Sequence, residues 1–134
     1  MGKRNVASLV LFVIYLAVLI WCCFGHFDDL PSVDTTLFGI PTDKIVHFIM
    51  FLPFPVLCFK SFSFLTPRPR QALLALAVIF IIGCLLAAGT EIGQSFTKYR
   101  SGDPFDFTAD VVALAISSVA TFIVWHRTRK NKTV

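Results

Sequence analysis

The run Val6–Phe24, VASLVLFVIYLAVLIWCCF, carries no charge and is apolar apart from Ser8. A bilayer core of about 30 Å takes about 20 helical residues, which is what this run supplies. It therefore predicts a first transmembrane helix at about 6–24. The run is longer than a secretory h-region and no A-x-A-like site follows it. A lipoprotein cleavage site needs a small residue before its cysteine, whereas Trp21 or Cys22 stands there. The segment thus reads as an uncleaved signal anchor.

Three more runs repeat the pattern. Pro41-Thr42-Asp43 reads as a helix start, with Thr42 as cap and Asp43 in the first turn. The helix should run over about 43–62 with a kink at Pro53 and Pro55, the freed carbonyls being served by neighbouring helices. A third helix is expected at about 72–94, weakened near its end by Gly89 and Gly93. Asp103-Pro104 gives an N-cap followed by proline at the first helical position, opening a fourth helix at about 104–125. Gly25 to Thr42, the short basic stretch Thr66–Arg70 and Ser95 to Gly102 read as connections, and Leu37–Ile40 as a stretch that dips into the interface. The fold class is all-α: a single domain over 1–134, an integral membrane four-helix bundle.

Composition agrees. The chain is 56% hydrophobic and 15% charged, where about a quarter is usual for a soluble domain. The net charge of +4 does not indicate nucleic acid, because the bases cluster beside apolar runs. The four cysteines, Cys22, Cys23, Cys58 and Cys84, all lie inside apolar runs without metal-ligand spacing and read as buried small hydrophobes.

Orientation follows from the bases. Lys3, Arg4, Lys60, Arg68, Arg70, Arg127, Arg129, Lys130 and Lys132 fall on one side, nine of twelve, against Lys44, Lys98 and Arg100 on the other. The positive-inside rule makes the first side cytoplasmic, N-in and C-in. All eight acids fall on the outer side, which is where polar chemistry is expected.

Three helix ends bring ionisable groups together there. Asp43 and His47 are i, i+4; Glu91 and Gln94 are i, i+3; Asp103, Asp106 and Asp110 form one stripe, with Arg100 in the preceding loop. Below Glu91 the face continues as Ala87 and Gly83, and below Asp110 as Ala113, Ser117 and Thr121, small residues of the kind that pack transmembrane helices. Asp103 on its own is a helix cap. Glu91 and Asp110, at or within the membrane boundary, are costly there and mark a functional site by default. The bland alternative is a structural network that only holds the helices together.

Asp43-Lys44-x-x-His47, Glu91-x-x-Gln94, Arg100-Ser101-Gly102-Asp103 and Asp106, in that order and at helix ends, resemble the motifs of the VanZ-like membrane proteins. The resemblance runs from Asp43 to about Ser118. Where that family has Asn four residues after the motif Asp, and then Gly, this chain has Asp110 and Ala113. The resemblance implies a bacterial cell (cytoplasmic) membrane, an envelope role and a part in susceptibility to teicoplanin-type glycopeptides. It supplies no reaction.

The expected site binds a membrane lipid or envelope precursor, lipid-linked, anionic or glycopeptide. His47 and Glu91 form the candidate proton-handling pair, Arg100 holds an anionic group, and Asp106 and Asp110 orient them or meet a cation. Asp43 and Gln94 complete the ligand-binding set. A divalent ion on His47, Glu91, Asp106 and Asp110 is weighed, but no second His supports it, so no metal and no cofactor is assigned. The inner halves of the helices lack acids, which opposes a proton path across the bilayer. There is no phosphate-binding glycine loop. A homo-oligomer is compatible with this reading.

Overall fold

Apolar runs of this length have one way to satisfy their backbone in lipid, which is to hydrogen-bond internally as helices. The computed structural model describes residues 3–25, 36–37, 39–63, 68–97 and 102–131. It contains α1 (Lys3–Phe24), a hairpin of β1 (Thr36–Leu37) and β2 (Ile40–Pro41), α2 (Thr42–Phe51), α3 (Pro53–Phe62), α4 (Pro69–Ser95) and α5 (Pro104–Lys130). Four helices are long and apolar enough to cross a membrane: Asn5–Phe24, Thr42–Phe62, Pro69–Ser95 and Pro104–Lys130.

The second of these is α2 and α3 together. Leu52 between them keeps helical dihedrals, φ −56° and ψ −40°, and its N–H still reaches Phe48 O at 3.1 Å. Pro53 and Pro55 withdraw the N–H groups that would serve the carbonyls of Ile49 and Phe51. The Tyr15 hydroxyl, from α1, donates to the neighbouring Met50 O at 2.6 Å. The span therefore keeps its helical path past the two prolines, with α1 hydrogen-bonded beside them.

Helix ends differ from the sequence reading in three places. Helix α2 begins at Thr42 itself, so the N-cap position falls on Pro41, which has no side-chain hydrogen bond to give. Helix α4 starts at Pro69, where the Arg68 N–H meets Gln71 Oε1 at 3.2 Å, and it continues through Gly89 and Gly93 to Ser95. Helix α5 runs on to Lys130; there Thr128 bonds back to Val124 O and Arg129 lies over the Trp125 ring at 5.0 Å. The connection before α2 is not wholly irregular, since β1 and β2 pair antiparallel with Thr36 opposite Pro41. Gly39 in its turn has φ +80°, a conformation that L side chains rarely adopt.

Helix α5 packs against α2, α3 and α4, while α1 lies on α3. The core between them holds Phe12, Leu19, Phe51, Phe54, Leu76 and Leu114, with Phe12 and Phe54 edge-to-face at 5.6 Å. The opposite faces are just as apolar yet stay exposed: Leu11, Ile14 and Trp21 on α1, Leu85 on α4, Val119 and Val124 on α5. A helix that is apolar all round but buried on one side only suits a lipid surround. Gly83, Ala87, Ala113 and Ser117 are all buried, so the small-residue faces point inward.

Candidate functional site

The acids gather at one end of the bundle because each comes from a helix end. His47 lies one turn into α2, Glu91 near the end of α4, and Asp106 and Asp110 on the first two turns of α5. Asp103 caps α5, accepting the Phe105 N–H at 2.9 Å, and Pro104 follows at the first helical position. The connection between α4 and α5 returns against α4 at Gly102, where an added Cβ would lie 2.7 Å from Glu91 O. Only a residue without a side chain allows that approach. It places the Asp103 N–H to donate to Glu91 Oε2 at 3.0 Å.

His47 is the hub. Its Nδ1 lies 3.3 Å from both carboxylate oxygens of Asp110 and 3.6 Å from Glu91 Oε1, while its Nε2 lies 3.9 Å from Asp106 Oδ2. His47, Glu91, Asp106 and Asp110 are all buried, Asp110 completely. One ring N–H on Nδ1 can serve one carboxylate oxygen well. Among the described residues, three buried side-chain polar atoms have no hydrogen-bond partner, and two of them, Glu91 Oε1 and Asp110 Oδ1, sit here. A buried acceptor without a donor costs about 1–3 kcal/mol, more when charged, so this end of the bundle is built at the expense of stability.

Sequence reasoning gave Lys44 no role, yet it carries the outer layer of the site. Its Nζ donates to Asp103 Oδ2 at 2.7 Å and Asp106 Oδ1 at 3.0 Å, with the Phe105 ring 5.7 Å away. The Lys44 ammonium, and after it the Phe105 N–H, hold the Asp103 carboxyl below the usual carboxylate range. Asp103 is thus cap, ion-pair partner and, through its backbone, support for Glu91.

The other expected members separate. Asp43 is exposed at the rim, close enough to Asp103 and Asp106 that one oxygen from each falls within 4.8 Å of the others. Gln94 turns away from the acids: its Nε2 donates to Cys23 O at 2.9 Å and ties the end of α1 to α4. The two helices approach closely there, since a Cβ on Gly93 would meet the Phe24 ring at 2.7 Å. Arg100 lies outside the described residues. Beside the cluster, between α2 and α5, is an apolar hollow of about 470 Å³ lined by Ile40, Ile45, Phe48, Phe105, Ala109 and Val112, with Lys44 at its polar edge.

No protein-family model matches the chain, and no solved structure is similar to it. An uncharacterized protein of the fission yeast Schizosaccharomyces pombe is 26% identical over 124 residues, covering 92% of this chain and 67% of that protein. The similarity takes in the greater part of all four long helices and reaches a eukaryote, so a bacterial origin rests on the motif resemblance alone.

Proposed function

We propose that the chain is a multi-pass membrane protein, with its N- and C-termini on the cytoplasmic side, that binds the headgroup end of an amphiphilic molecule at the extracytoplasmic boundary. The observation that carries this reading is the juxtaposition around Lys44. On one side lies a buried acid cluster with acceptors in excess; on the other lies an apolar hollow open to the surround. An acyl or polyprenyl chain suits the hollow. Two of the three donors on Lys44 go to Asp103 and Asp106, and the third can donate to a headgroup oxygen. The motif resemblance to VanZ-like proteins supports an envelope precursor as the ligand, and with it a part in susceptibility to teicoplanin-type glycopeptides.

The binding test uses the full chain in detergent and a polyprenyl phosphate, read by native mass spectrometry. Saturable binding is expected, and Ala109→Trp, which fills the hollow, should weaken it at least ten-fold. Val124→Trp, on a face away from the hollow, should leave it unchanged. Equal binding by all three forms would remove the hollow from the reading.

Orientation is tested separately. Cysteine probes at Ser101 should react from outside intact cells, and probes at Asn131 should not. Labelling at Asn131 would reverse the orientation. The motive is the nine-to-three division of bases.

A further inference from the structure

One nitrogen of His47, one oxygen of Glu91 and one oxygen of Asp106 lie within 4.8 Å of one another, and all three residues are buried. An ion bonded at about 2.0–2.2 Å to nitrogen and oxygen ligands holds them closer together than that bound, so these side chains draw in by up to about an ångström around it. Proximity of acids alone is no sign of a ligand. The second observation is that Glu91 Oε1 and Asp110 Oδ1, on residues 9% and 0% exposed, face His47 with no hydrogen-bond donor. Three buried carboxylates, Glu91, Asp106 and Asp110, surround one imidazole. Such an excess of negative charge away from water is costly unless a cation joins it.

From this we infer that His47, Glu91 and Asp106 form a binding site for one divalent first-row transition-metal ion. The donor set, one imidazole nitrogen with carboxylate oxygens, suits Zn²⁺, Mn²⁺, Fe²⁺ or Co²⁺ rather than a thiol-seeking ion. Asp110 is the supporting carboxylate. It lies 3.3 Å from His47 Nδ1, which also faces Glu91 Oε1 at 3.6 Å, and holds the ring in place between the two ligand carboxylates. Asp106 divides its oxygens, Oδ1 toward Lys44 and Oδ2 toward His47. The neighbouring trio Asp43, Asp103 and Asp106 is as close-set, but Lys44 already supplies its positive charge. The site goes beyond the amphiphile reading and stands without it, because the ion needs no part of the hollow.

The test is direct titration of the full chain, purified in detergent through a tag without histidine and stripped with a chelator. Co²⁺ is the probe, followed by its visible absorption, with Zn²⁺ as competitor. One Co²⁺ per chain is expected, displaced by one Zn²⁺. Glu91→Gln keeps the shape and the acceptor for Asp103, so it should fold while weakening the ion at least a hundred-fold. His47→Gln should do the same and abolish the nitrogen-dependent absorption. Asp110→Asn should weaken binding about ten-fold, the usual effect of losing a supporting carboxylate. Absence of saturable binding overturns the inference, as does undiminished binding in folded Glu91→Gln.

Discussion

Replacing His47 with alanine should cost the folded chain about 3–5 kcal/mol, the usual penalty for removing one partner of a buried charged pair. The cause is what stays behind. Asp110 is wholly buried, and the His47 ring is its hydrogen-bond partner at 3.3 Å. The loss should therefore depend on Asp110. In His47→Ala/Asp110→Asn, where the orphaned carboxylate is neutral, much of the stability should return, giving a coupling energy well above the additive limit for separate sites. Thermal unfolding in detergent reads it. Additive losses in the double variant would mean that the two residues do not share a network. Glu91→Gln separates function from packing, because the amide oxygen still accepts from Asp103 N–H. At equal folded protein level it should abolish any change in teicoplanin susceptibility that expression of the wild-type chain produces. Full retention would leave the cluster as structural glue.

The second large effect is steric. A Cβ added at Gly83 would lie 2.7 Å from Leu114 Cδ2, 3.0 Å from Leu114 Cδ1 and 3.2 Å from Phe54 Cδ1. Leu114 is fully buried, so it has nowhere to go. Overpacking of this kind costs about 1–3 kcal/mol, and a whole leucine belongs at the upper end or beyond. Gly83→Leu should lower the melting temperature markedly, and Leu114→Ala in the same chain should recover part of the loss. Ala113→Leu, at another fully buried position on α5, should act in the same direction. An unchanged melting temperature in Gly83→Leu would show that α4 and α5 do not meet through this face.

The helices were legible because a run without charge and long enough to cross a bilayer has few alternatives. The break between α2 and α3 was legible because proline cannot donate. Where helices stop was less so. The sequence reading ended the last one at Trp125, where the apolar run gives way to bases, but a helix can continue past the membrane edge, and α5 reaches Lys130. The convergence of His47, Glu91, Asp106 and Asp110 followed from helical spacing and from the side on which each helix begins. The partners of Lys44 and Gln94 did not. The lysine next to Asp43 counted only as one of three outer bases and as part of a motif, and its reach to Asp103 and Asp106 depends on how α2 lies on α5. Gln94 reads as part of the acid cluster until the close approach of Phe24 and Gly93 shows which side of α4 it occupies. The case for an ion has the same origin: spacing places side chains on a face, but only packing sets distances between helices.

The proline pair in the second long helix has a consequence for biogenesis. The second and fourth long helices are the less apolar pair; the second also has two carbonyls robbed of their helical donors, and the fourth carries Asp106 and Asp110. A chain threaded into a bilayer span by span can settle its first and third segments unaided. Its second and fourth are less apolar, and their polar groups are matched only once both are present, when Lys44 and His47 meet the acids of α5 and the Tyr15 hydroxyl bonds beside the prolines. In a chain that spans a bilayer, assembly of the polar cluster then favours the placement of these two segments, and variants of the site should lower the yield of inserted protein.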